Sequence, residues 1–343
     1  MKSSGLSRHA LAIGTASALL VGCGASPTPI GAPGGAMPQS RAITTRADRG
    51  GSWMLPEAKS GALLYVVTDA SLVYVVDYAT GKLEQTLNFG SGSGTGACVD
   101  ARGDVFVTAF IDWPSEGGFI FEYAHGGTSP ITTLADGDYT PSGCSVDPLS
   151  GNLAVTNDSL YSAPGRASVG GNLAIYAGAS GNPIFYTDPG IQYYDSGTYD
   201  GQGNIFVIGS GASTAFGLAE LPKGGSTFEN FTLDSGVSGS HIQWDGASLA
   251  ITKSAGYHRT TTAKVYRIDV SGSSAILVGT TTFHGLLGAR AGLCSWIQGK
   301  TIIVSTHQGE FGIWRYPRGG KEIRKIGGLA HYRKYGVTLS PAS

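Results

Sequence analysis

The sequence is poor in charge, in cysteine and in long hydrophobic runs. Charged residues make up 14% of its 343 residues, and 23 Lys and Arg nearly balance 24 Asp and Glu. Because nucleic-acid binding needs a basic surface that neutralises phosphates, this balance predicts no nucleic-acid partner. Beyond the first 22 residues, no segment approaches the roughly 20 apolar residues that a membrane-spanning helix needs. The body of the chain is therefore expected to be soluble.

Glycine is what the sequence has in abundance. The chain contains 54 Gly, and aromatic residues reach 10%. A high glycine content favours many tight turns over long helices. The aromatic content is typical of an ordered chain. The composition therefore favours an ordered, turn-rich fold.

Residues 1–22 have the features of an export signal. Lys2 and Arg8 precede an apolar stretch, Ala10 to Val21, that is too short to span a bilayer. The stretch ends in Leu20-Val21-Gly22-Cys23, which resembles the bacterial lipobox, in which the cysteine is lipidated and becomes the first residue. The resemblance implies a lipid anchor on Cys23. The alternative is an ordinary secretory signal in which this cysteine has no role.

Residues 23–60 are predicted to form a flexible tether, because they are rich in Pro, Gly, Ala, Ser and Thr and have no apolar period. The residue after Cys23 is Gly24 and not Asp, which in the Gram-negative pattern favours sorting to the outer membrane. We therefore expect a protein of the bacterial cell envelope, on the periplasmic or the surface side of the outer membrane.

An internal repeat dominates the remaining chain. A glycine-containing turn followed by a short β-branched or aromatic run recurs about every 40–50 residues, the length of a propeller blade. The six copies are Gly61–Val67, Gly103–Val107, Gly151–Val155, Gly203–Val207, Gly246–Ile251 and Gly299–Val304.

Each repeat has room for four short strands joined by turns and for no crossover helix, which predicts antiparallel meanders. The first repeat lacks a leading strand, and the C-terminus supplies a spare one, Tyr335–Pro341, that resembles the leading strand Ser142–Pro148 of the third repeat. We predict an all-β fold over residues 61–343: a six-bladed β-propeller of four-stranded antiparallel blades, closed by the C-terminal strand. A β-sandwich or a β-solenoid is the alternative.

Two phrases also resemble known repeat families. Leu64–Asp69 followed by Val75–Lys82 is similar to one repeat of the YVTN type, and Gly203–Val207 is similar to NHL-type and SMP-30-like propellers. The resemblance covers about residues 61–341. Its motifs specify blade packing and no reaction, and relatives include interaction modules, lactonases and exported lipoproteins, so the fold does not carry the function across.

The strand order predicts which loops share a rim. Loops that leave the second strand of each blade emerge beside the loops between blades, and the longest insertions fall there, at 109–117, 157–171 and 253–263. This rim and the central channel are the usual place for a ligand. The candidate ligand-binding residues are Asp69, Asn157, Tyr193, Tyr194, His241, His284, Arg290, His307 and His331.

Known catalytic patterns are missing from the sequence. In SMP-30-like lactonases, a glutamate, an asparagine and an aspartate from inner strands hold a divalent metal. Asp69 and Asn157 match two of these types, but Lys253 and His307 occupy positions where a third acid would be needed. No histidine spacing suits zinc, and there is no Gly-x-Ser-x-Gly elbow. We therefore expect no cofactor and no catalytic residue, with a Ca²⁺ site as the alternative.

The remaining cysteines and one glycine-rich run each allow more than one interpretation. Cys98, Cys144 and Cys294 remain after lipidation, all on leading strands; buried thiols are the favoured interpretation, and a bond between Cys98 and Cys144 in neighbouring blades is the alternative. The run Gly90–Gly96 looks like a phosphate-binding loop but precedes no helix, so it predicts a flexible loop between blades.

These observations favour an envelope-anchored, monomeric scaffold that binds an unknown protein, glycan or small molecule through one loop-rich face. The membrane would be reached through the lipid alone. The alternatives are a metal-dependent, SMP-30-like lactonase or hydrolase with its site at the central channel, and a structural role in envelope assembly.

Overall fold

The structure, a computed structural model, describes residues 61–111, 116–160, 169–211, 215–253, 262–285, 294–306, 310–330 and 332–341. These residues all belong to one compact unit, Asp48–Ser343. Within them, strands and turns make up nearly the whole chain, and helix is limited to a 3-10 turn at Ala177–Ala179. None of the described segments forms a helix that is long and apolar enough to cross a membrane.

Six antiparallel sheets form the six blades of a β-propeller, as predicted. From the innermost strand outward, blade 1 consists of β26 (Lys334–Ser340), β1 (Leu63–Thr68), β2 (Leu72–Asp77) and β3 (Leu83–Asn88). Blade 2 consists of β4 (Ser93–Val99), β5 (Val105–Ile111), β6 (Gly117–Tyr123) and β7 (Thr132–Ala135). Blade 3 consists of β8 (Tyr139–Val146), β9 (Leu153–Leu160), β10 (Val169–Tyr176) and β11 (Ile184–Tyr186). Blade 4 consists of β12 (Tyr193–Tyr199), β13 (Ile205–Ser210), β14 (Gly217–Leu221) and β15 (Glu229–Asn230). Blade 5 consists of β17 (His241–Trp244), β18 (Leu249–Lys253), β19 (Thr262–Ser271) and β20 (Ser274–His284). Blade 6 consists of β21 (Ser295–Gln298), β22 (Thr301–Ser305), β23 (Phe311–Arg315) and β25 (Arg324–Ile326).

The outer strand of blade 5 has two short additions from its neighbours. β16 (Thr232–Leu233) and β24 (Gly320–Lys321) each pair in parallel with one end of β20. Between them, β20 contains a bulge at Val278, because Arg267 pairs with Gly279 and Ile268 with Leu277. Short additions and a bulge protect an edge strand from pairing with other chains.

The hydrophobic core lies between the blades. Successive side chains of a strand point to opposite faces, so Leu63 and Tyr65 of β1 pack against blade 2 while Leu64 and Val66 pack against blade 6. Both faces of a second strand are thus buried, which explains why these strands are continuous apolar runs. One buried cluster fills each of the six interfaces between neighbouring blades.

The C-terminal strand closes the ring, as predicted from its resemblance to a leading strand. β26 pairs with β1 from Leu63 with Ser340 to Val67 with Gly336. Val337 and Leu339 are buried in the cluster between blades 6 and 1. The first blade therefore takes its innermost strand from the opposite end of the chain.

Glycines let the innermost strands of blades 1, 2 and 3 approach one another closely. A Cβ atom on Gly336 would lie 2.6 Å from the backbone of Gly96, and one on Gly96 would lie 2.8 Å from the Cα of Gly143. Any side chain at these positions would therefore force the strands apart. The interpretation of Gly90–Gly96 as a flexible loop is wrong for Ser93 onward, because β4 begins there.

A disulfide joins the innermost strands of blades 2 and 3. Cys98 and Cys144 are bonded, with their Cα atoms 5.5 Å apart. The favoured interpretation of these residues as buried thiols is therefore wrong, and the alternative is correct. Gly96 and Gly143, two and one residues before the cysteines, bring the two strands within bonding distance. The thiol of Cys294 is buried.

Candidate functional site in the central channel

The strand registers define two rims around the channel. One rim carries the connections between blades and the connections between second and third strands, and we call it the loop rim. We call the opposite rim the turn rim. On the loop rim, the start of each innermost strand lies beside the end of the second strand: Tyr193 pairs with Ser210 and His241 with Thr252. On the turn rim, an aspartate follows the innermost strand of blades 2 to 5 and accepts the backbone N–H bonds of a tight turn. These are Asp100, Asp147, Asp200 and Asp245.

Some predicted site residues lie on the loop rim. The Asp69 carboxylate accepts the backbone N–H of Arg333 (3.2 Å), and Tyr193 is partly buried at the start of β12. His284 is exposed at the end of β20, on the outer edge of blade 5 and away from the channel. His241 begins β17 and lies in the channel wall. Arg290, His307, His331 and the lipidation residue Cys23 lie outside the described residues.

Two predicted site residues, Asn157 and Tyr194, lie in the interior. The Tyr194 hydroxyl accepts the backbone N–H of Asp188 (2.6 Å), and burial raises the pKa of Tyr194. Asn157 is completely buried, and its amide nitrogen donates to Asn172 Oδ1 (2.8 Å). Asp69 of blade 1 and Asn157 of blade 3, the two residues that match lactonase metal ligands in type, have separate hydrogen-bond partners.

Asn157 belongs to a buried polar group between blades 2 and 3. Burial raises the pKa of Asp136 to about 7, although the Tyr176 hydroxyl and the Asn157 side chain lower it. Tyr176 donates to Asp136 Oδ1 (2.7 Å). Asp136 Oδ2 and Asn157 Oδ1 are both buried and accept no hydrogen bond from any described residue. A proton on Asp136 would supply the donor that these two acceptor atoms lack.

Bulges at the loop-rim end bring two carboxylates close enough to interact. Asp158 of β9 and Asp195 of β12 are each the extra residue of a register shift, and such bulges re-aim a side chain. Burial and the charge of Asp158 raise the pKa of Asp195 to about 6, and burial raises the pKa of Asp158. The sequence prediction missed this pair, because a bulge has no signal in an isolated sequence.

A cavity of about 190 Å³ lies in the channel toward the turn rim. Three aromatic residues, Tyr199, Trp244 and Trp296, line it on the side of blades 4 to 6. The Cys98–Cys144 disulfide lines the side of blades 2 and 3. Trp244 and Trp296 are partly buried and Tyr199 is buried. The sequence marks these positions as strand ends that carry an aromatic residue, but the long insertions pointed to the other rim.

The polar side chains of the cavity wall bind the neighbouring innermost strands. Ser145 Oγ accepts the backbone N–H of Tyr199 (3.0 Å), and Thr198 Oγ1 accepts that of Trp244 (3.0 Å). The Gln243 amide donates to the Ile297 carbonyl (2.9 Å) and accepts the Ile297 N–H (2.7 Å). These bonds satisfy backbone groups that an innermost strand would otherwise leave bare at the channel. These three side chains are therefore engaged within the wall itself.

The charged group that the described residues contribute to the cavity wall is a carboxylate. Asp200 lines the cavity, and Asp147 lies near enough for its charge to raise the pKa of Tyr199, after the larger effect of burial. No lysine or arginine of the described segments lines the cavity. Burial lowers the pKa of His241 to about 4, so its imidazole is neutral near pH 7.

Among the described residues, no group of three or more His, Cys, Asp or Glu side chains is arranged to hold a metal ion. The channel cavity near the turn rim is lined by aromatic residues and by the carboxylate of Asp200.

No family model and no curated protein sequence matches this chain. Among solved structures, the β-propeller domain of Cps50 (Swd1) from Myceliophteria thermophila is similar, with a TM-score of 0.51 and 13% sequence identity. The match covers 80% of this chain and 85% of that chain. At this identity, the likeness supports the propeller fold and carries no activity across.

Proposed function

We propose that the chain is a ligand-binding propeller that is tethered to the bacterial cell envelope through a lipid on Cys23. The observation that carries the binding role is the channel cavity near the turn rim. Its polar side chains hold the innermost strands together, while Trp244 and Trp296 line the space. Such a wall suits the holding of a ligand better than its chemical conversion.

The disulfide supports export, because disulfides persist in oxidising compartments and are rare in the cytosol. The apolar segment, Cys23 and the tether that follow from the sequence support anchoring at the envelope. The repeats also resemble NHL-type propellers, among which exported lipoproteins occur. In this proposal the loop rim remains a second surface for a protein or a glycan.

Filling the cavity should abolish ligand binding without unfolding the ring. Ala97 lines the cavity, and a phenylalanine there would occupy part of its volume. Small molecules that raise the melting temperature of the full-length wild-type protein should no longer do so in Ala97→Phe. The matched control is Tyr332→Leu, which changes an exposed residue on the loop rim and should keep every such shift.

Shifts that persist in Ala97→Phe would contradict binding in the channel. If the protein binds a stoichiometric divalent ion and hydrolyses lactones, and if Asp69→Ala loses both properties, the protein is a lactonase-like enzyme and the scaffold proposal is wrong.

Loss of the lipidation residue should release the protein from membranes. In the wild type we expect the protein in the membrane fraction, whereas Cys23→Ala should be found in the soluble fraction, because nothing else in the described chain can span a bilayer as a helix. Immunoblotting of fractionated cells measures this, and Cys294→Ala is the control for loss of an unrelated cysteine. A Cys23→Ala protein that stays with the membranes would refute the anchor.

A further inference from the structure

We propose that the cavity near the turn rim is a binding site for an organic cation, such as a quaternary ammonium, primary ammonium or guanidinium group. This inference rests on the proposed binding role and names the ligand class. Two observations carry it: three aromatic residues line one cavity, and the charged side chain that lines it among the described residues is a carboxylate.

The aromatic residues provide the attraction. Tyr199, Trp244 and Trp296 come from the innermost strands of three successive blades and line one cavity. The face of an aromatic ring is electrostatically negative and attracts a cation within about 6 Å, most strongly for tryptophan. Several rings around one space form the aromatic cage that suits ammonium groups.

The surrounding charge adds to this attraction. The carboxylate of Asp200 accepts N–H bonds from Gln202, from the backbone of Asn204 and from the Asn204 amide, and no described lysine or arginine forms an ion pair with it. Its negative charge also reaches Glu220, whose pKa is raised by burial, by Glu229 and by Asp200. A cleft that is lined by charge of one sign concentrates ligands of the opposite sign.

The same wall disfavours the other small ligands. An anion would meet the charge of Asp200 in the wall. A sugar needs several hydrogen-bond partners, but Ser145, Thr198 and Gln243 already bind backbone groups of the next blade. A cation held by ring faces needs no such partner. The cavity of about 190 Å³ is smaller than the ~300–1,000 Å³ of a pocket for a drug-sized ligand, so it suits one cationic group.

The test compares a cation with its neutral isostere. Full-length protein is titrated by calorimetry with choline, with 3,3-dimethylbutan-1-ol, which has the same shape without the charge, and with glucose, all at constant ionic strength. We expect choline to bind at least about tenfold more tightly than the alcohol, and glucose not to bind. The tripeptide Gly-Lys-Gly is the arm that distinguishes a free small cation from the side chain of a protein partner.

Variants identify the residues that bind the cation. Trp244→Leu should weaken choline binding at least about tenfold, whereas Trp244→Phe, which keeps a ring face, should retain most of it. Asp200→Asn should weaken binding and reduce its dependence on salt. Tyr332→Leu, on the loop rim, should bind like the wild type, and melting curves check that each variant is folded.

Equal affinity for choline and the neutral alcohol would overturn the cation site, as would the absence of saturable binding of both choline and Gly-Lys-Gly. An unchanged affinity in folded Trp244→Leu would also overturn it. Binding of the tripeptide alone would support the cation class and identify a protein side chain as its source. Choline and Gly-Lys-Gly could fail to bind while other compounds still raise the melting temperature of the wild type and not that of Ala97→Phe. In that case the proposed ligand class is wrong and the binding role stands.

Discussion

Deletion of residues 334–343 should unfold the whole ring and not only its first blade. The deletion removes β26, whose buried Val337 and Leu339 fill the interface between blades 6 and 1. Each such side chain contributes about 1.5–3 kcal/mol, and the pairing edge of β1 becomes exposed as well. The two side chains account for about 3–6 kcal/mol, and together with the bared edge the loss is comparable with the roughly 5–15 kcal/mol stability of a typical domain. Circular dichroism melting and soluble yield measure this.

Two matched variants separate closure from the mere loss of residues. Deletion of Ala342 and Ser343, which follow β26, should leave the melting curve unchanged. Leu339→Ala keeps the strand but empties its core position, and should cost about 2–5 kcal/mol. A protein without residues 334–343 that melts like the wild type would show that β26 does not close the ring.

Asp136→Asn should stabilise the protein increasingly as the pH rises from 3.8 to about 7, keep that gain at higher pH, and leave the protein unchanged in stronger acid. The folded protein holds the proton of Asp136 up to about pH 7, because burial raises its pKa from 3.8. The stability that this proton contributes is complete below pH 3.8 and is lost as the pH rises through 7. Over this window the loss amounts to about 4 kcal/mol. An asparagine amide provides the donor that faces Asn157 at every pH, so the variant should not show the loss.

Urea unfolding of the wild type and of Asp136→Asn between pH 4 and pH 8.5 measures the difference, which should grow with pH. Other buried acids titrate in the same range, and the comparison of the two proteins cancels their effect. Asp138→Asn is the control, since it removes the same charge from an exposed residue two positions away. A difference that does not vary with pH would refute the buried proton.

The sequence predicts the architecture well because the repeat is enforced by packing. Each second strand is buried on both faces, so its apolar run and the turn before it recur in every blade. The closure is also predictable, since Tyr335–Pro341 resembles Ser142–Pro148 and has no partner within its own blade. The start of β4 was missed because glycine, which favours loops, is needed at Gly96 for the close approach of two strands.

The site was less predictable than the fold. Adjacent blades put Cys98 and Cys144 on neighbouring strands, but only the actual distance between those strands decides whether a bond forms. The insertion predicted at 157–171 starts at Asn157, yet β9 continues to Leu160 and buries the Asn157 side chain. The sequence has no signal for the convergence of Trp244 and Trp296 on one cavity, because that convergence depends on how three blades are arranged around the channel.

The pairing of β26 with β1 also decides when the protein can finish folding. Leu63 is among the first residues of the ring to be synthesised, and its partner Ser340 is among the last. At about 5–20 residues per second, the edge of β1 stays uncovered for roughly 15–55 s of chain elongation. During that time a growing chain exposes an apolar strand edge that can pair with its neighbours. Until β26 is in place, the chain therefore carries an open strand edge that the finished ring does not have.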